Sequence, residues 1–257
     1  MLSDIVKKFP WPKARTSTTA SFENILAFAR EVAEGNPETG LPVKGNPLGL
    51  IEIVSALVRP IQAEHMVRVM ERPQYDTPQW CLNEKTFFFD IDRCQSGRDK
   101  LTLGLDRPTS LTGTKIMLAA GSILPEPMNR SDYAKKFQAI GPGGARSPWK
   151  QDINHKVSVW LPWGIAFVRS GNHSIAFGVL AGQGDVTPYY VQDMTWLLEE
   201  VYCDGQRYIE RATGRTLGDA KDQRRAALFE VGRLMHKYNV STFSTRTKPS
   251  NETVKSD

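Results

Sequence analysis

The stretch that decides the fold is Val157-Ser158-Val159-Trp160-Leu161-Pro162-Trp163-Gly164-Ile165-Ala166-Phe167-Val168-Arg169-Ser170-Gly171-Asn172-His173-Ser174. Residues 157–161 and 164–168 are rich in the β-branched and aromatic side chains that suit strands, and Pro162-Trp163 divides them. Ser170-Gly171-Asn172 is turn chemistry, the apolar run Ile175 to Leu180 reads as a short helix, and Gly182-Gln183-Gly184 ends it. The reading is strand, strand, turn, helix. In α/β folds ligands bind where strands end and helices begin, because the free N–H groups of a helix N-terminus attract anions. Gly171 permits the tight turn, Ser170 or Asn172 is placed to cap the helix, and His173 falls in its first turn. Asp152, Asn154 and His155 precede the same strand pair, so one strand-end cluster can collect both groups. The chemistry-bearing candidates are therefore His173, His155 and Asp152 as acid-base groups, with Gly171, Asn172, Ser174 and Ser170 contacting the ligand. The alternative is ordinary turn and cap chemistry, with each histidine only satisfying a neighbour.

Working outward, Asp185 to Val191 returns as a strand, and Asp193 starts a helix through Trp196, Leu197 and Val201. Asp204-Gly205 is a two-residue hairpin signal between Val201-Tyr202-Cys203 and Arg207-Tyr208-Ile209. A last amphipathic helix, Lys221 to Lys237, turns Ala227, Leu228, Val231, Leu234 and Met235 inward and Arg224, Arg225, Arg233 and Lys237 outward or to its flank. Upstream, Ser21 as N-cap opens a helix with Phe22, Ile25, Leu26, Ala29 and Val32 on one stripe, closed by Gly35. Residues 48–71 form a second helix that Pro60 should kink or divide. Residues 86–92 and 100–105 read as the two arms of a β-hairpin around Gln95-Ser96-Gly97-Arg98-Asp99. Residues 115–124 are apolar and ambiguous between strand and helix. Residues 125–150 are a surface loop with one helical turn at Tyr133 to Phe137, or a seam between two units.

These elements predict an α+β protein with N-terminal helices, a central β-hairpin and a C-terminal mixed sheet with helices. The expected division is a flexible arm over 1–20, a helical and hairpin part over 21–124, a loop or seam over 125–150, an α+β unit over 151–240 and a disordered tail over 241–257.

Composition narrows the function. At 257 residues, 40% hydrophobic and 24% charged, the chain can bury a full core without staples. No apolar run reaches the roughly 18 residues a membrane span needs. The N-terminus breaks at Phe9-Pro10-Trp11-Pro12 without an apolar export segment, and Cys81, Cys94 and Cys203 show no paired or zinc-type spacing, so a cytoplasmic protein with reduced thiols is expected. Residues 1–204 hold 22 basic and 22 acidic residues while 205–257 hold 11 and 6, so the net charge of +5 is C-terminal. That excess suits a DNA-contacting face formed by Arg224, Arg225, Arg233 and Lys237, or a solvated helix and tail. A divalent metal held by His155, His173 and carboxylates such as Asp152, Asp185 or Asp193 is chemically sound, although their spacing matches no ligand motif. No G-x-S-x-G elbow supports Ser174 as a nucleophile, and Walker and dinucleotide glycine motifs are absent. His65 and His236 read as surface or core-edge residues.

The run from Trp160 to Ile175, with Asp152, Asn154-His155, Cys203-Asp204-Gly205, Phe229-Glu230-Val231-Gly232-Arg233 and Arg59-Pro60-Ile61-Gln62, resembles an uncharacterised bacterial family carried on plasmids, integrative elements and phages and labelled plasmid-related protein. That resemblance spans about residues 20 to 237 and implies association with a mobile element, without an activity. Over residues 157–191 the strand and Gly171-Asn172-His173 turn are also similar to the ParB and sulfiredoxin-like superfamily, whose turn holds nucleotide phosphates. There Ser174 stands where an Arg is usual, so the bidentate charge is missing. Together these imply a nucleotide- or phosphate-binding protein of a mobile element with hydrolase or nuclease chemistry, and as the other reading a non-enzymatic DNA-binding or protein-interaction factor. The ligand, the metal and the oligomeric state stay open.

Overall fold

The computed structural model describes residues 18–35, 44–73, 82–94, 114–140 and 148–242, with side chains from residue 21 onward. The second hairpin arm over 100–105, Cys81, most of the N-terminal arm and most of the C-terminal tail lie outside them. Helix α1 (Thr18–Glu34) starts before Ser21, which therefore sits inside it rather than capping it. Its apolar stripe is as expected, with Phe22, Leu26 and Ala29 buried, and Gly35 ends it at a φ of +87°. Helix α2 (Leu50–Glu71) passes through Pro60 without dividing. Pro60 and Ala56, whose carbonyl loses its donor there, both lie on the exposed side, so water can take the vacated bond.

The proposed first hairpin arm is not a strand. Two 3-10 turns, Glu84–Thr86 and Ile91–Arg93, bracket Phe87-Phe88-Phe89. Side chains start both turns, since Asn83 accepts the Lys85 N–H and Asp90 accepts the Asp92 N–H. All three phenylalanines are buried, which the alternating faces of a half-exposed strand would not allow. Phe87 meets Phe167, Phe88 meets Trp163 and Phe229, and Phe89 meets Tyr208, so the bent backbone feeds one cluster from three directions.

The ambiguous segment 115–124 becomes two short strands, β1 (Ile116–Met117) and β2 (Ile123–Leu124), and α3 (Arg130–Ala139) is longer than the single turn expected. Strands β3 (Lys156–Leu161) and β4 (Ile165–Ser170) form the expected antiparallel pair, followed by α4 (Asn172–Ala181). The expected strand over 185–191 is split into β5 (Asp185–Val186) and β6 (Tyr190–Asp193) around Pro188. The central sheet runs β2-β4-β3-β6, with β2 parallel to β4 and β6 parallel to β3, while β1 pairs with β5. Helix α5 (Thr195–Glu200) leads into β7 (Val201–Cys203), β8 (Arg207–Glu210) and β9 (Thr216–Asp219), an antiparallel sheet of which β9 had no sequence signal. Helix α6 (Gln223–Lys237) closes the fold, N-capped by Asp222. This is an α+β fold.

Trp160, Trp163, Ile165 and Phe167 are all buried, as their pattern predicts. Trp163 lies on α6 and donates its indole N–H to the Leu228 carbonyl at 2.8 Å. Gly232 makes that approach possible, because a Cβ there would stand 2.2 Å from the Trp163 ring. The same cluster includes Phe22, Leu50, Val54, Phe88 and Phe229, so it draws on both sides of the 125–150 stretch. Because Lys156 at the start of β3 pairs with Ser170 at the end of β4, the segments entering and leaving the pair emerge at one end of the sheet.

Candidate functional site

At that end Gly171 turns the chain from β4 into α4 with a φ of +84°, a left-handed conformation that glycine adopts without penalty. It also packs against the segment entering β3, since a Cβ on Gly171 would lie 2.5 Å from Cδ2 of His155. No side chain caps α4, so neither Ser170 nor Asn172 plays the capping part expected of it. Asn172 instead uses its Oδ1 to accept the Glu126 N–H at 2.7 Å. The Ile175 N–H is bonded to the Gly171 carbonyl, which leaves the N–H groups of Asn172, His173 and Ser174 in the helix's first turn without a partner among the described residues.

The two histidines are held differently. Nε2 of His173 accepts the Asn129 N–H at 3.1 Å, so His173 and Asn172 together fasten the segment between β2 and α3 onto the start of α4. His155 is buried, with its ring 4.9 Å from that of Trp149. Its Nδ1 lies 2.8 Å from the Asp152 N–H and 3.1 Å from Asp152 Oδ1. One neutral tautomer accepts the backbone N–H at Nδ1 and carries its proton on Nε2. The other donates Nδ1–H to the Asp152 carboxylate and leaves a lone pair on Nε2. Burial pushes both imidazoles below the ordinary histidine range, with Asp152 acting against it at His155 and Asp132 at His173. Lys136 pushes both further down, so its ammonium is felt by both rings.

These groups line one cleft of about 590 Å³, which collects Asp152, His155, Ser170, Gly171, Asn172, His173 and Ser174. All seven residues singled out in the sequence are thus brought together. Lys136 of α3 and Lys150 join them. Ser174 is largely spent on scaffold, since its carbonyl and hydroxyl oxygens accept the Trp149 indole N–H at 2.8 and 2.9 Å.

A protein-family model matches residues 7–242, and its description reads "Family of unknown function (DUF6710)". The chain belongs to the DUF6710 family. Neither a curated protein nor a solved structure matches it.

Elsewhere in this DUF6710 chain, the four basic residues of the last helix do not form one outward row. Arg224 is exposed, and Lys237 pairs with Glu34 of α1 at 3.1 Å. Arg233 is turned inward, ion-paired to Glu230 at 2.8 Å and donating to the carbonyls of Leu198 and Val201. Arg225 lies across the Phe87 ring with its guanidinium carbon 5.3 Å from the ring centre. Cys94 and Cys203 are buried, and burial pushes the Cys203 thiol up to about 12. Among the described residues no three His, Cys, Asp or Glu side chains converge to hold a metal ion, and no helix is long and apolar enough to cross a membrane. Asp185 is paired with Lys115 at 2.9 Å, and Asp193 accepts the Thr195 N–H at the start of α5. Sequence reasoning missed Lys136, Lys150 and Trp149. Trp149, a large aromatic just ahead of Asp152, was the one available hint; the lysines carried none.

Proposed function

We propose that this chain binds a phosphate-bearing small molecule of nucleotide size in the cleft at the start of α4, and that His155 with Asp152 gives the cleft acid-base capacity. The observation carrying this reading is that Lys136 and Lys150 line the same cleft as the uncapped first turn of α4 and the His155 imidazole. A helix N-terminus contributes roughly 0.3–2 kcal/mol to a bound anion, and each charge-assisted contact from a partly exposed lysine about 1 kcal/mol. Together with one imidazole hydrogen bond that comes to about 4 kcal/mol, a dissociation constant of about 1 mM for bare phosphate. Tighter binding requires the rest of the ligand, and a cleft of about 590 Å³ has room for it.

The two tautomers of His155 supply the chemistry. With Nδ1–H held by Asp152, Nε2 can take a proton from a water or hydroxyl beside the phosphorus, and with the proton on Nε2 it can return one to a leaving oxygen. Hydrolysis of a phosphate ester is the reaction class this serves. His173 acts instead as a fastener that keeps the segment of residues 126–129 in place.

The test is calorimetric titration with inorganic phosphate, a nucleoside monophosphate and a nucleoside triphosphate, beside phosphate-release assays. Lys136→Ala and Lys150→Ala should each weaken binding about fivefold at unchanged melting temperature, and His155→Gln should lose turnover more than affinity. If no phosphate compound binds at millimolar concentration, or both lysine variants bind as the wild type does, the proposal is wrong. A non-enzymatic accessory factor would then be the better reading.

A further inference from the structure

A second, larger cleft of about 970 Å³ opens where α1, α2 and the start of α6 meet. Among the described residues that line it, Arg68, Lys221, Arg224 and Arg225 stand against two carboxylates, Glu64 and Asp222, so that part of the wall carries an excess of positive charge. Arg225 is the most buried of these cations. Its side chain is only 14% exposed, yet its Nε reaches Asp222 Oδ2 only at 3.5 Å, an ion-pair contact that is not a hydrogen bond, and that buried Nε has no hydrogen-bond partner among the described residues. Buried guanidinium groups are ordinarily hydrogen-bonded, because desolvation of an unpaired cation is costly. Phe87 supplies an aromatic face to this cation but no acceptor. Arg224, next in the helix, is exposed and pairs with no described residue. Arg68 is paired with Glu64, and Lys221 donates to the Thr86 carbonyl.

We infer that this cleft is a second anion site, which takes a phosphate group between Arg225, Arg224 and Lys221 with His65 on its wall. The site is built from side chains of two helices and the turn before α6, so it does not depend on a helix end alone. Two neighbours report the unbalanced positive charge. Burial pushes His65 down to about 4, helped by Arg225, Arg68 and Arg72 and opposed by Glu64. Burial and then Arg225 lower Lys221, with Asp222 opposing. An anion in the cleft would offset the arginines' part of each shift, not the larger part that comes from burial. This site is independent of the cleft at Gly171, and the chain has one histidine pair in that cleft and one histidine in this one, so each can be read separately.

The experiment is a titration of the full chain with inorganic pyrophosphate near neutral pH at constant ionic strength. It is followed by NMR of the imidazole resonances of the four histidines, assigned with single His→Gln variants. The expected result is a saturable movement of the His65 resonances, weakened about tenfold by Arg224→Gln and by Arg225→Lys, since each removes or loosens a charge-assisted contact. Arg224 is exposed, so its variant stays folded even if Arg225→Lys does not. If His65 stays still while His155 moves, the Gly171 cleft binds and this one does not. Movement that fails to saturate, that chloride reproduces, or that both variants retain also overturns the inference. A duplex oligonucleotide that displaces pyrophosphate at His65 assigns the phosphate to a nucleic-acid backbone, and failure to displace it assigns a free phosphate compound.

Discussion

Replacing Gly171 with alanine tests the junction on which the Gly171 cleft depends. Two costs follow from the structure. The residue holds a φ of +84°, where an L side chain costs roughly 1–2 kcal/mol. The added Cβ would stand 2.5 Å from His155 Cδ2, 3.1 Å from the Asn154 carbonyl oxygen and 3.3 Å from His155 Cα. Relief needs a movement of about 1 Å, because carbon atoms pack best at roughly 3.5–4.0 Å. The ring cannot retreat freely. It packs on Trp149, which two hydrogen bonds tie to Ser174. Overpacking of this kind costs about 1–3 kcal/mol, so the total is about 2–5 kcal/mol, or about 5–15 °C in melting temperature for a chain of this size. Gly214→Ala is the control, since its φ is +69° and nothing lies within 4 Å of its Cβ position, leaving only the conformational cost. Denaturant melts of the two variants should differ by at least about 1 kcal/mol. Equal destabilisation would show that His155 does not press against Gly171, and the geometry of the cleft would have to be redrawn.

Phe167→Ala should destabilise by about 3–5 kcal/mol, because the ring is buried between Phe87 and Trp160; a loss under about 1 kcal/mol in denaturant melts would place it outside the core. Asn172→Ala leaves the half-buried Glu126 N–H without its acceptor and should cost about 1–2 kcal/mol while loosening residues 126–129, visible as faster amide exchange there. The folded-state pKa of His65 is depressed to about 4 from the ordinary 6.5, so the unfolded chain binds the proton first as pH falls. Its contribution to stability is therefore complete above about pH 6.5 and declines as pH drops toward 4. His65→Gln should flatten the pH dependence of stability in that window by up to one proton's slope; an unchanged slope would mean that His65 titrates normally.

The β3–β4 pair and the Gly171 turn were legible because strand composition, a divider at Pro162-Trp163 and turn residues all agreed at short range. Asp204-Gly205 was legible for the same reason, and β7 and β8 pair as that signal requires. Phe87-Phe88-Phe89 misled because consecutive aromatics suit a strand by composition, whereas two side-chain-capped turns aim them separately. Thr216-Leu217-Gly218-Asp219 has a single apolar side chain, and only pairing with β8 makes it a strand. The seven cleft residues are close in sequence to the two ends of one hairpin, so local reasoning could gather them. Lys136 reaches the cleft from α3, and the basic cleft at Arg225 is assembled from α1, α2, the turn before α6 and the first residues of α6, arrangements that only tertiary packing creates.

Arg233 joins what would otherwise be independent parts. From α6 it donates to the Leu198 carbonyl near the end of α5 and to the Val201 carbonyl at the start of β7. Its partner Glu230 accepts the Cys203 N–H further along that strand at 2.8 Å. The three-stranded sheet is therefore riveted to α6 at its first strand, and the two travel as one body. Bending between them would have to break a guanidinium from two carbonyls and a carboxylate from an amide at the same moment. Amide exchange at Cys203 should accordingly keep the rhythm of the helix and not that of the sheet's free edge at β9.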